Sequence, residues 1–264
     1  MRLLLPPSVG IPRAIARGEL LARSLTAQIG EAVRVEVAVD YADMESRIRA
    51  GEVDLAWAPS AICARVSEQV RAIYKAVRAG KSTYRSAIVA RTDARLSLTT
   101  LAGTRAAWVD PLSLGGYVLA VDHLAALGIV PEKTFAREKF IGDHPAALAA
   151  ILEGEADVGA VAVSGGQPED VTHALGLHAG RAGAEQMSAL AITLPVPSDG
   201  LLVTNALEID QASALVSRLF DEHGGRSSAL MLAMEADDFE RAEPDDYTRL
   251  RLILDRVEAL RTRR

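Results

Sequence analysis

Cysteine is nearly missing: Cys63 is the one thiol in 264 residues. A single cysteine excludes an internal disulfide and any cysteine-rich zinc site. Its neighbours Ala61, Ile62, Ala64 and Val66 are apolar, so the thiol reads as buried and inert rather than nucleophilic. Aromatic residues are scarce, at 4%, which argues against a sugar-stacking site. No apolar run reaches the roughly 18 residues of a membrane-spanning helix, so no membrane insertion is expected. Met1 to Pro7 is too short an apolar stretch for a secretory signal. Either the chain works in the cytoplasm or a leader has been removed. Positive charge is the minority sign, with 29 Lys+Arg against 35 Asp+Glu and a net charge of -6. Nucleic acid and anionic membrane are therefore poor partners, and the basic end Arg261-Thr262-Arg263-Arg264 is only a short tail.

Catalytic motifs are missing as well. There is no Gly-x-Ser-x-Gly, His-Glu-x-x-His, Walker loop or Rossmann fingerprint. The histidines, His123, His144, His173, His178 and His223, form no compact ligand cluster. No catalytic residue, metal or cofactor is expected. Carboxylate pairs such as Asp237-Asp238 and Asp245-Asp246 fall in a polar link and read as solvated.

What is present is a core-forming hydrophobic content of 49% and a repeated strand–helix rhythm. Leu3–Leu5 reads as a strand, and Ala14–Ile29 as a helix closed by Gly30. Val33–Val39 alternates at period two, as a half-buried strand does. A helix over Tyr41–Ala50, a strand over Asp54–Trp57 and a helix start at Pro59-Ser60 follow, then a strand over Val70–Val77. A second cycle opens with strands at Tyr84–Arg91 and Ala106–Trp108. It continues through a helix at Val118–Leu127, a strand at Phe135–Ile141, a helix at Ala146–Leu152, and strands at Asp157–Val163 and Ala189–Leu194. Leu201–Val203 reads as a strand, followed by helices at Ile209–Phe220, Ser227–Met234 and Tyr247–Leu260. Glu235 to Asp246 reads as the polar link. The rhythm predicts mostly parallel sheets faced by helices, with ligands at the carboxyl ends of strands. Candidate rims are Asp40-Tyr41, Ala58-Pro59-Ser60 and Asp110 to Tyr117.

An internal echo supports two similar lobes. Tyr41–Trp57 reads YADMESRIRAGEVDLAW and His144–Val161 reads HPAALAAILEGEADVGAV. Each is a helix, a Gly-Glu turn and an Asp that opens a strand.

The third rim has the composition of an oxyanion cradle. Asp110-Pro111-Leu112-Ser113-Leu114-Gly115-Gly116-Tyr117 lies between a strand and a helix. The first helical turn there has unpaired N–H groups and the positive end of the dipole. Ser113 can cap or donate, and Gly115 and Gly116 can admit a ligand to the backbone. The same pattern also describes a capped helix start with no ligand.

Four ordered pieces carry a resemblance: DYADMESRIRAGEVDLAWAPSA from Asp40, YRSAIVARTDARLSLTTLAGTRAAWVDPLSLGGY from Tyr84, IGDHPAALAAILEGEADVGAVAVS from Ile141 and LPVPSDGLLV from Leu194. In order and spacing they resemble the phosphonate-type solute-binding proteins of ABC importers. The resemblance implies the α/β, two-lobed type II periplasmic-binding-protein fold, with two hinge crossovers and a ligand cleft. The expected lobes are 1–86 plus 200–264, and 87–199. It implies a non-enzymatic clamp for a small anionic ligand, with ABC membrane subunits as partners, a monomeric state and a periplasmic setting. A native start at Met1 would place the chain in the cytoplasm instead.

Site residues follow from the same resemblance. Ser113 is retained in the oxyanion turn. Leu114 and Gly115 stand where the family has hydroxyls, which leaves the backbone N–H groups there and at Gly116. Each hydrogen bond to a charged group contributes about 1.5–3 kcal/mol. Tyr41 and Tyr84 match cleft tyrosines, Ser60 lies on the rim, and His144 matches a histidine that helps hold the oxyanion. Ser164 occupies the position of an acid that meets an amine in the family. Asp199 matches an aspartate of the second crossing and could meet a cation, although it also reads as a turn residue. The alternatives are a cytoplasmic enzyme on this fold, as in menaquinone-pathway enzymes, and a cytoplasmic ligand sensor.

Overall fold

The computed structural model describes residues 1–6, 11–220, 227–243 and 245–262. In chain order its strands are β1 (Arg2–Leu5), β2 (Arg34–Val37), β3 (Leu55–Ala58), β4 (Val70–Val77), β5 (Thr83–Arg91), β6 (Arg105–Trp108), β7 (Arg137–Phe140), β8 (Val158–Val163), β9 (Met187–Ile192), β10 (Val196–Pro197), β11 (Gly200–Thr204) and β12 (Asp238–Arg241). Its α-helices are α1 (Ile11–Ile29), α2 (Tyr41–Arg49), α3 (Ser60–Val66), α4 (Leu119–Ala126), α5 (Pro131–Thr134), α6 (His144–Leu152), α7 (Pro168–Ala184), α8 (Ile209–Leu219), α9 (Ser228–Met234) and α10 (Thr248–Thr262). The fold is mixed α/β with two sheets.

Two compact units divide the chain: Met1–Ser82 with Pro197–Arg251, and Thr83–Val196 with Leu252–Arg264. The sequence rhythm assigns all of 200–264 to the first lobe. In the structure α10 changes unit after Arg251. Beyond that point Arg256 grips Asp122 of α4 with two hydrogen bonds, 2.9 and 2.8 Å.

In the first unit the sheet order is β12-β4-β11-β3-β1-β2. β1 runs parallel to β2 and β3, while β11 runs antiparallel to β3 and β4. The buried faces carry Leu3, Leu5, Leu55, Leu201 and Val203, closed over by Leu21 and Leu25 of α1 and Leu215 of α8. Burial of this apolar area drives the packing. The polar link expected over Glu235–Asp246 contains β12. Phe239 is buried there and stacks edge-on against Phe220.

In the second unit β6 runs parallel to β7 and β8, β5 runs antiparallel to β8, and β9 pairs with β5. Ala87, Val89, Val161 and Val163 pack against Leu148 and Ile151 of α6 and Leu175 of α7. The stretch holding His173 and His178, which by sequence reads as a loop or short helix, is the 17-residue helix α7, whose backbone leaves helical geometry at Gly180, where φ is 70°. No helix of the described residues is long and apolar enough to cross a membrane.

Candidate functional site

Both units place capped helix starts after the carboxyl ends of parallel strands. In the first unit, Asp40 caps α2 by accepting from the Asp43 N–H at 2.7 Å, and Asp43 in turn accepts from the Val39 N–H at 2.9 Å. The first bond satisfies a donor of the first turn, and the second ties the residue before the cap back onto the helix. It sets Tyr41, partly exposed, as the first helical residue. Ser60 begins α3 and is buried.

The expected oxyanion turn is built differently from a plain capped helix. Residues Leu114–Val118 form a π-helical turn ahead of α4, with Ser113 as its cap. Ser113 Oγ accepts from the Gly116 N–H at 3.1 Å, which leaves the hydroxyl hydrogen free to donate. Asp110 Oδ1 accepts from the Leu112 N–H at 2.8 Å and shapes the approach. The N–H groups of Leu114 and Gly115 meet no acceptor among the described residues. Such a turn can hold one negatively charged oxygen group through backbone donors and one hydroxyl.

The two glycines are required by packing. A Cβ on Gly115 would lie 2.5 Å from the Ala162 Cβ, and one on Gly116 would lie 2.4 Å from Val109 Cγ2. Ser86 Oγ also donates to the Gly115 carbonyl at 2.6 Å. The turn is pressed onto β5 and β8, and only glycine allows that approach.

His144 is the first residue of α6, capped by Asp143, which accepts from the Ala146 N–H at 2.8 Å. Its ring stacks on His178 of α7 with centroids 4.9 Å apart. Its Nδ1 is buried and has no hydrogen-bond partner among the described residues. Burial first, then the neighbouring His178, push its pKa down to about 4, against the pull of the Ala160 carbonyl and Asp143. The imidazole is thus neutral near pH 7 and turned into the protein.

Asp199 meets a cation, and that cation belongs to the chain. Arg78 donates to both carboxylate oxygens, at 2.6 and 3.0 Å, and Trp57 Nε1 donates at 2.7 Å. Arg78 spends its other donors on the carbonyls of Met234 and Glu235. Nearby, Tyr247 donates to the Ser198 carbonyl at 2.8 Å, and the Ser198 N–H donates to the Ser82 carbonyl at 2.9 Å. The two chain crossings are thereby tied to each other inside the first unit. Cys63 lies in the same region, fully buried, its thiol pushed up to about 12 chiefly by burial.

The remaining predicted residues are on the second unit. Tyr84 is partly buried at the start of β5. Ser164 is exposed just past β8 and donates to Asp170 Oδ1 at 3.3 Å. Within this unit, Tyr84, Ser113 to Gly116 and Ser164 share one edge of the sheet, at the carboxyl ends of β6 and β8. Sequence reasoning passes over Arg78 and Arg85. Both lie in strands or strand ends, where a lone arginine gives no periodic signal.

Two α/β units with capped helix starts at their strand ends define the class of the type II periplasmic binding proteins. Within that class, the chain belongs to the phosphonate family of ABC-transporter periplasmic substrate-binding proteins, which matches residues 11–247. The family is periplasmic, non-enzymatic and the substrate-binding component of its importers. Three solved structures have this fold. XAC2383 from Xanthomonas citri, bound to ATP, is 18% identical with a TM-score of 0.79, over 99% of this chain and 98% of that one. PhnD1 from Prochlorococcus marinus, in complex with methylphosphonate, is 19% identical with a TM-score of 0.70, over 98% of each. A binding-protein component of an ABC phosphonate transporter from Pseudomonas aeruginosa is 20% identical with a TM-score of 0.69, over 98% of this chain and 87% of that one.

Proposed function

We propose that the chain captures a small phosphonate- or phosphate-like anion and delivers it to the membrane subunits of an ABC importer. It works in the periplasm, as a monomer, and closes around the ligand by bending at its two crossings. The observation that carries this reading is the turn after Trp108, where the unclaimed Leu114 and Gly115 N–H groups stand beside a Ser113 hydroxyl with its hydrogen to spare. Tyr84 flanks that turn on the second unit, while Tyr41 and Ser60 belong to the rim of the first. Ligand contacts made by both units stabilise the closed state, and the transporter reads that state.

His144 and Asp199 are assigned supporting roles, since the first is stacked and enclosed and the second is committed to Arg78. Calorimetry with methylphosphonate and inorganic phosphate tests the reading. The intact chain should bind at least one of them, and Ser113→Ala should weaken that binding about tenfold while costing no more stability than the roughly 1 kcal/mol of a lost helix cap. Small-angle scattering should show compaction on binding. No heat with either probe, or an unaltered Kd in Ser113→Ala, would overturn the proposed site.

A further inference from the structure

Strand β7 closes one side of the second sheet, and β6 is its one strand neighbour among the described residues. Successive side chains on a strand point to opposite faces. Arg137, Lys139 and, just past the strand, Ile141 therefore share a face. That face borders a groove of about 250 Å³, floored by the small side chains of Ala107, Ala150 and Ala156. Arg105 lies opposite Arg137 in the register and is held by Asp157. Arg137 and Lys139 are exposed and join no carboxylate among the described residues, although Glu155 lines the same groove. In a chain of net charge -6, two neighbouring cations left to solvent are unusual.

The other face of β7 is apolar at its end. Glu138 accepts from Trp108 Nε1 at 2.8 Å. Phe140 lies edge-on to Tyr117, with centroids 4.9 Å apart, and stays 41% exposed. The edge strand of the first sheet, β2, is built otherwise: its Arg34 and the nearby Arg47 both pair with Glu36.

An uncovered sheet edge is a template for a further strand, and its charges decide which strand is accepted. Directly opposed residues of two antiparallel strands project from the same face. Two-fold pairing of β7 with a second copy, over three of its four residues, sets Arg137 opposite Lys139 or Lys139 opposite itself. Such like-charge pairs are unfavourable. An acidic strand meets the same two cations favourably.

We propose that the edge of β7 receives an extended segment of a partner protein as an added strand. Its alternate side chains are acidic and face Arg137 and Lys139, and those between them are apolar and lie beside Phe140. This surface is separate from the turn after Trp108, and the proposal does not depend on what that turn binds.

Fluorescence anisotropy of the whole chain with a labelled peptide alternating glutamate and valine tests it. That peptide should bind about tenfold or more tightly than one alternating lysine and valine. N-methylation of its backbone at alternate residues along one edge keeps the charges and removes the strand bonds, and should cost about tenfold or more. Arg137→Glu combined with Lys139→Glu, at two exposed positions, should reverse the preference between the glutamate and lysine peptides. No binding of the glutamate peptide, equal binding of its N-methylated form, or an unmoved preference in the double variant would overturn the proposal. So would a dimer in sedimentation that the double variant loses, which gives the edge to a second copy. A second inorganic phosphate site in calorimetry, lost in the double variant while the glutamate peptide binds no better than the lysine one, would give the groove to a small anion and overturn it too.

Discussion

Arg78 and Asp199 form a two-bond ion pair 121 positions apart in the chain, at 2.6 and 3.0 Å. The pair links the end of β4 to the segment entering β11, and Trp57 of β3 holds the same carboxylate. Arg78→Met leaves the carboxylate with Trp57 alone. Because the guanidinium is 39% exposed and the carboxylate 21%, the cost should be about 2 kcal/mol, below that of a fully buried pair. A chemical melt that shows no loss would remove the pair from the features holding the crossing.

The stacked histidines set a stability slope in mildly acid solution. His144 has an ordinary pKa of 6.5 and is pushed down to about 4 in the fold, first by burial and then by His178. Burial also lowers His178. Unfolded chains therefore bind more protons than folded ones between these two values. Stability is full above pH 6.5 and falls as the pH drops toward 4, by up to about 3 kcal/mol. His144→Gln should flatten that part of the curve in urea melts run from pH 4.5 to 7. An equally steep curve would show that other groups set it.

Overpacking of the turn is testable at Gly115. Gly115→Ala would drive a methyl to 2.5 Å from the Ala162 Cβ and 2.9 Å from its Cα. The expected destabilisation is about 1–3 kcal/mol. Ala162→Gly in the same chain should recover part of it, because the clash between the two methyls goes while the crowding against the β8 backbone stays. Additive losses in the double variant would contradict the packing described for β8.

Lys75 is almost wholly buried on β4 and bonds Glu240 and Asp246, each at 2.8 Å. Lys75→Met leaves two carboxylates facing an apolar side chain and should cost about 3 kcal/mol. Glu240, 55% exposed, should cost under about 1 kcal/mol as Glu240→Gln. Denaturant melts that rank the two the other way would show that the edge strand, not the lysine, anchors this corner.

Much of the architecture is legible in the residues. Asp40 and Asp143 each precede a helix by one position, and the Gly-Glu turns at Gly51 and Gly154 close those helices at positive φ, 66° and 76°. These local signals carry the two-cycle reading. Other features need the folded chain. The π-helical turn after Ser113 looks like an ordinary capped start, because the preference for it comes from Gly115 and Gly116 packing against Ala162 and Val109. Strand β12 hides in an acidic stretch, where Phe239 is the one large apolar residue. Helix α7 follows Ser164-Gly165-Gly166 and contains three further glycines, which weaken its periodic signal. The candidate site divides the same way. Ser113 is visible as a cap, whereas the engagement of Asp199 depends on a partner far away in sequence, and the stacking of His144 on His178 depends on how α6 and α7 pack.

The caps at Asp40, Ser113 and Asp143 differ in one respect. Asp40 and Asp143 begin their helices with a carboxylate, while Ser113 begins its turn with a hydroxyl. Aspartate and serine are nearly equivalent in securing a helix, so folding is indifferent to the choice. An incoming anion is not, since a carboxylate at that spot would repel it. On the proposed function, Ser113→Asp separates the two demands: a chain that melts where the unaltered one does and yet turns its cargo away.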